Sequence, residues 1–204
     1  MEDLRTHWEK VYRTKELTEL SWYQPTPATT LQFIKEANLP KDAAIIDVGG
    51  GDSLLVDHLI DSGYTNLTVL DLSEASLQRA KERLQEKAKL VKWIVSDAAE
   101  FKPDEKYSFW HDRAVFHFFT DEEKIQKYLA VIDAGLQKNG TLMVGTFSEN
   151  GPDKCSGLDI RQYSEESMTD TFSKYFAKVR CVMEDHRTPS GTIQNFVFCS
   201  FKRR

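Results

Sequence analysis

From residue 44 onward, apolar positions along the chain switch repeatedly between two periods. Residues 44–48, 67–71, 91–95, 107–112 and 141–146 are short, β-branched or aromatic runs, the pattern of strands buried on both faces. Between them, Leu54, Leu55, Leu59 and Ile60 share one helical face, as do Leu77, Ala80 and Leu84, and then Ile125, Tyr128, Leu129 and Ile132. Parallel strands require such crossover helices. The punctuation agrees: Ser73 is placed to cap a helix opened by Glu74, Gly63 to close the helix before the second strand, and Asn139-Gly140 to turn into the fifth. After residue 176 the period is that of strands alone. Residues 178–184 and 193–201 predict a hairpin joined by a segment containing Thr188-Pro189-Ser190-Gly191. The expected fold is therefore α/β and doubly wound, a mostly parallel seven-stranded sheet with an antiparallel C-terminal hairpin.

Residues 1–43 contain no strand of this series. They carry Trp8, Tyr12, Trp22 and Tyr23 in a charged background, then a helix around residues 31–37, and read as a lid over the sheet or its ligand. A chain of 204 residues is long enough for one substantial core and short for two, so residues 1–204 are expected to form one domain, with 44–204 as its ligand-binding part.

Composition narrows the partners. A formal charge of −5 gives no general attraction to polyanions, and the terminal Lys202, Arg203 and Arg204 are expected to be a solvated chain end, so nucleic acid is not expected. The opening Met1-Glu-Asp-Leu-Arg lacks the order of a signal peptide and no apolar run is long enough for a membrane span, which makes a cytoplasmic location the expectation. Cys155, Cys181 and Cys199, odd in number and without CxxC spacing, read as reduced thiols and not as a disulfide framework or metal site.

The chemistry concentrates at strand ends. The first strand runs into Gly49-Gly50-Gly51-Asp52 and a helix, a turn in which a ligand approaches the backbone closely. No lysine follows as in a Walker loop, and the glycines lack dinucleotide spacing, so polyphosphate ligands are disfavoured. Asp71, twenty residues after Gly51, ends the second strand where a carboxylate accepts hydrogen bonds from ribose hydroxyls. Asp97 follows the third strand, positioned for an adenine amino group, and Asp47 lies in the same carboxyl-end crevice.

The segments Ile46-Asp47-Val48-Gly49-Gly50-Gly51, Val69-Leu70-Asp71-Leu72-Ser73 and Ser96-Asp97-Ala98 resemble the first three motifs of the class I, seven-stranded methyltransferases. That resemblance implies S-adenosyl-L-methionine as cofactor, with Asp47, Gly49, Gly50 and Gly51 beside its methionine part, Asp71 and Leu72 at the ribose, and Asp97 and Ala98 at the adenine. Trp22 and Tyr23 are expected to cover it. In this family the end of the fourth strand faces the methyl group, which makes Asp112, His111 and His117 the catalytic candidates, although neighbours on a strand point to opposite faces. No metal is implied.

The sequence lacks the Asn/Asp-Pro-Pro-Tyr/Phe motif of base-amino methyltransferases and the Pro-Cys nucleophile of cytosine C5 chemistry. Trp8-Glu9-Lys10-Val11-Tyr12 with Ser21-Trp22-Tyr23 is similar to the opening of seven-stranded protein-lysine methyltransferases. Their Asp-Lys-Gly-Thr-Phe/Leu-Asp pattern is echoed by residues 112–117, with His117 in place of the acid. The same stretch is equally similar to small-molecule methyltransferases. A small-molecule acceptor is the leading expectation, with a protein lysine, or a non-catalytic binding module, as alternatives. Residues 148–163, following the fifth strand, are expected to border the acceptor, with His186 and Thr188 near the same rim.

Overall fold

The computed structural model describes residues 4–203; Met1 to Asp3 and Arg204 lie outside the described residues. Helix α1 (Leu4–Thr14) and α2 (Ala28–Ala37) precede β1 (Ile45–Val48), α3 (Leu55–Asp61), β2 (Leu67–Asp71), α4 (Glu74–Leu84) and β3 (Val91–Val95). Then come β4 (Tyr107–Arg113), α5 (Glu122–Gly135), β5 (Leu136–Phe147), a two-stranded ribbon of β6 (Lys154–Cys155) and β7 (Leu158–Asp159), α6 (Glu165–Phe172), β8 (Phe176–Arg187) and β9 (Ile193–Arg203). The seven-stranded sheet has the order β3-β2-β1-β4-β5-β9-β8, parallel through β5 and antiparallel at β9 and β8. The strand order reverses between β1 and β4, and crossovers to opposite faces part there to leave a crevice at the carboxyl ends.

The side-chain period of two divides the core cleanly. Ile45 and Phe109 pack with α2 and α3 on one face, while Ile46 and Trp110 pack with α5 and α6 on the other. At the end of β4 the alternation decides what each residue touches. Asp112 falls on the α5 face, fully buried, and accepts hydrogen bonds from Tyr128 Oη at 2.6 Å and from the amides of Val115 and Phe116 at 3.0 and 3.2 Å. Tyr128 also accepts from Trp110 Nε1 at 3.2 Å. Burial, opposed by these donors, raises the Asp112 carboxyl to about 6.

Local signals act as expected at several points: Ser73 Oγ accepts from the Ser76 amide to cap α4, and Gly63 closes α3 with φ of 85°. Others differ. Asn139-Gly140 is no turn before β5; residues 137–140 form a bulge within it, since Tyr107 pairs with Leu136 and Phe109 with Thr141. The hairpin strands are longer than the apolar pattern, because backbone pairing continues where one face is solvated. Helix α6, capped by Ser164, was not apparent from periodicity.

The cysteine expectation is corrected. Cys181 and Cys199 stand opposite each other in the β8–β9 register, with Cα atoms 4.1 Å apart, and form a disulfide; Cys155 is free and buried. Count and local spacing carry no trace of this, since the pairing follows from hairpin register. The basic end is also engaged: Lys202 donates to Asn139 O and Thr141 Oγ1, and Arg203 to Leu136 O while pairing with Asp133. Among the described residues no helix is long and apolar enough to cross a membrane.

Two expectations follow from this packing. Gly145 of β5 lies under the Phe198 ring, and a Cβ there would fall 2.2 Å from it, so Gly145→Ala should lower stability by about 1–3 kcal/mol in urea unfolding. Asp112→Ala strands three donors in the core and should cost roughly 2–4 kcal/mol by the same measurement, while leaving nucleoside affinity within about twofold.

Candidate active site

One cavity occupies the crevice at the β1–β4 switch point and is roofed by the amino-terminal segment. Its first wall is the turn after β1. Gly49 has φ of 67°, and a Cβ on it would fall 2.0 Å from the Val115 side chain; at Gly50 a Cβ would meet Asp47 Oδ2 at 2.6 Å. Both positions therefore demand glycine, and both border the cavity. Gly51 does not: it sits between the Tyr12 hydroxyl and Asp71, and so shapes the turn without forming the wall.

Asp71, Leu72, Asp97 and Ala98 line the end of the cavity over β2 and β3. Asp71 Oδ1 accepts from the Ser73 amide at 2.8 Å, and Asp97 Oδ1 from the Ala99 amide at 2.8 Å, which fixes both carboxylates to their own turns. Burial pushes the Asp71 carboxyl up to about 7, against the Ser73 amide, with Asp52 and Asp47 adding to the rise. Asp47 Oδ2 is buried and without a partner. A ligand that donates hydrogen bonds fits this end: a nucleoside's hydroxyls and amino group, and the ammonium of a methionine moiety, would find acceptors at Asp71, Asp97 and Asp47.

At the other end, Trp22 and Tyr23 border the cavity together with Thr30, His111, Arg113 and Cys155. His111 Nδ1 lies 2.6 Å from Asp47 Oδ1, and Nε2 lies 3.1 Å from Thr30 Oγ1. A carboxylate only accepts, so Nδ1–H donates to Asp47, and Nε2 is the ring nitrogen turned toward Thr30. Of the three catalytic candidates, the structure brings His111 alone to the cavity. Asp112 points into the α5 face, and His117 is fully buried beside Phe118 and Phe147, its ring pushed down to about 3 by burial and the Arg113 charge.

The roof is tied to the nucleoside end by polar bonds across the sheet's edge. Glu9 of α1 accepts from the Glu74 and Ala75 amides at 2.6 and 3.3 Å, an added carboxylate at the N-terminus of α4. Arg79 of α4 reaches back to Tyr12 O and Lys15 O at 2.7 and 2.6 Å and pairs with Asp52 at 3.0 Å. Trp8 meets Trp22 and Phe118 edge-on, at 5.7 and 5.4 Å between ring centres. His186 Nε2 lies 2.7 Å from Ser21 O, which fastens the roof to β8, whereas Thr188 serves its own turn by accepting from the Thr192 amide. Residues 148–163 contribute Cys155 to the wall.

Arg113 and Thr30 are wall residues that sequence reasoning did not single out for the site, whereas Cys155 lies in the 148–163 segment expected to border the acceptor. Arg113 was legible in principle: it shares the parity of His111 on β4. Thr30 carried no signal, because only the packing of α2 brings it there.

Residues 45–140 match the family model described as a methyltransferase domain. The chain is 26% identical over 141 residues to the eEF1A lysine and N-terminal methyltransferase of Mus musculus, an alignment covering 66% of this chain and 20% of that protein, so the chain spans about a fifth of that relative's length. It superposes with a TM-score of 0.78 on a structure from work on conversion of a disulfide bond into a thioacetal group during echinomycin biosynthesis, at 18% identity, covering 98% of this chain and 92% of that one. The N-methyltransferase NodS of Bradyrhizobium japonicum WM9, in complex with S-adenosyl-L-homocysteine, superposes at 0.73 with 13% identity over 98% of this chain and 99% of its own. The match to a methyltransferase domain model over residues 45–140, this strand order and a cavity lined by Asp47, Asp71 and Asp97 at the switch point make the chain similar to the class I, seven-stranded S-adenosylmethionine-dependent methyltransferases.

Proposed function

We propose that this chain transfers the methyl group of S-adenosylmethionine to a small-molecule acceptor. The observation that carries the reading is the cover that residues 21–24 lay over the acceptor end. Residues 21–24 cross it, held by Arg113 Nη1 donating to Trp22 O at 2.9 Å and by the His186 contact to Ser21 O. Such a roof admits a small acceptor more readily than a folded protein.

In this reading Asp71 receives the ribose hydroxyls, Asp97 the adenine amino group and Asp47 the methionine ammonium. Leu72 and Ala98 pack against the nucleoside, Gly49 and Gly50 leave room for the methionine chain, and Trp22 and Tyr23 cover it. The cofactor supplies an activated methyl on a sulfonium. The chain's own task is then to position the acceptor and, for an amine or thiol, to take its proton. His111 is placed for that: Nδ1–H donates to Asp47, Nε2 faces the Thr30 hydroxyl, and both His111 and Thr30 border the cavity. A protein-lysine acceptor is the second reading, favoured by the lysine methyltransferases among the relatives, of whose length this chain matches between 19% and 66%.

Tritiated S-adenosylmethionine incubated with the protein and a cell extract, followed by ultrafiltration, separates the readings. Label is expected in the small-molecule filtrate, abolished by Asp71→Ala and slowed about 100-fold by His111→Ala. Label confined to a protein band would overturn the small-molecule reading, and no transfer to either fraction would overturn the transferase reading.

A second measurement isolates Asp71. Its carboxyl titrates near 7 in the ligand-free fold, and hydroxyl donors favour the ionised form. Nucleoside binding should therefore strengthen as pH rises through 7 and release a proton. Methylthioadenosine, which has no group of its own titrating in that range, should bind about tenfold tighter at pH 8 than at pH 6 in calorimetry, and Asp71→Asn should flatten the profile. The same shift makes the ligand-free protein lose stability as pH rises from about 4 through 7, because the folded state holds a proton there that the unfolded chain releases.

A further inference from the structure

We infer that Arg113 is an anion anchor, and that the acceptor carries a carboxylate, phosphonate or similar oxyanion; this rests on, and sharpens, the small-molecule reading above. The guanidinium stands at the end of β4 on the cavity face. Nη1 is used, donating to Trp22 O. Nε and Nη2 are buried and have no hydrogen-bond partner, and no carboxylate lies within ion-pair distance among the described residues. These two groups form the side edge of the guanidinium, where two parallel N–H bonds match the spacing of the two oxygens of an oxyanion.

The nearby acids, Glu184 and Asp47, make no ion pair with Arg113 among the described residues. Glu184 accepts from Gln24 Nε2 at 3.2 Å and from the Thr29 hydroxyl, and acts on Arg113 only through space; Asp47 Oδ1 is held by His111. A buried cation with two idle donors is costly, and stacking on Phe196, 4.9 Å from the ring centre, does not supply acceptors. Burial pushes the guanidinium down to about 10, which leaves it charged at neutral pH and in need of a counter-ion. Arg113 borders the cavity, so a ligand bound there can supply the acceptors that the free edge lacks.

Position separates this anchor from the nucleoside. Phe196 lies on β9, two strands beyond β4, whereas Asp71 and the turn before Asp97 end β2 and β3 on the far side of β1. An anion held there orients its own molecule across the β4 end, past Thr30 and His111. The thiol of Cys155, pushed up to about 12 by burial against the Arg113 charge, stays neutral and adds no counter-charge.

The test uses benzoate, phenylphosphonate and neutral benzamide as probes, titrated by the fluorescence of Trp8 and Trp22 with and without S-adenosylhomocysteine. Both anions should bind the wild type at least tenfold more tightly than benzamide. Arg113→Gln should erase that gap and Arg113→Lys should keep part of it, as a point charge without the fork. Calorimetry with S-adenosylhomocysteine should give Arg113→Gln an affinity within about twofold of wild type. An absent gap in the wild type overturns the inference even if the variant does not fold. So does a gap that survives in Arg113→Gln, or a tenfold loss of S-adenosylhomocysteine affinity in it, which would assign Arg113 to the cofactor's carboxylate. Loss of S-adenosylhomocysteine binding by the wild type itself would instead fell the reading of the cavity, while the anion titration without it still decides the role of Arg113.

Discussion

Asp112 is buried on the α5 face with both carboxylate oxygens engaged, and the rest of the site depends on that placement. The donors are the turn that follows β4 and the Tyr128 hydroxyl, so the strand end, the turn and α5 are locked as one body. Because side chains alternate along a strand, fixing residue 112 inward sends 111 and 113 to the opposite face, where the cavity lies. The turn itself requires Ala114 at φ of 70°, and its amide bond to Gly145 O ties it to β5. The chemistry of the cavity at this point is that of His111 and Arg113, set by a residue that does not reach it.

The two ends of the cavity differ in what they ask of a ligand. Asp47, Asp71 and Asp97 gather at the carboxyl ends of β1 to β3 and present acceptors that suit hydroxyls and amines. Burial makes the Asp71 carboxylate expensive without donors, as its rise to about 7 records, and ribose hydroxyls are donors of the kind it lacks. Across β4 the polarity reverses, and Arg113 presents donors without acceptors. One cavity thus presents acceptors at one end and donors at the other.

The roof is coupled to this arrangement through α4. Ser73, whose amide holds Asp71, also caps that helix, while Glu9 binds the next two amides from above and Arg79 grips the end of α1. A carboxylate at a helix N-terminus interacts favourably with the helix dipole, and the amides it binds have no partner within the helix. The segment that covers the ligand and the carboxylate expected to hold the ribose therefore share one helix terminus.

What the sequence determined by itself was whatever local periodicity encodes: five buried strands with crossover helices, the C-terminal hairpin, the glycine turn, and Asp47, Asp71 and Asp97 at successive strand ends. Those features fix the strand-end crevice, because alternating β and α elements with right-handed crossovers leave few topologies. Tertiary structure decided the rest. Cys181 and Cys199 meet only through hairpin register, the Asn139-Gly140 pair becomes a bulge only because Leu136 and Thr141 both pair with β4, and Thr30 reaches His111 only when α2 packs on the sheet. The same holds for the choice among His111, Asp112, Arg113 and His117. Sequence placed all four near one strand end, but which face is core and which is cavity depends on where Tyr128 and the roof segment come to rest, and those contacts join residues that no local pattern relates.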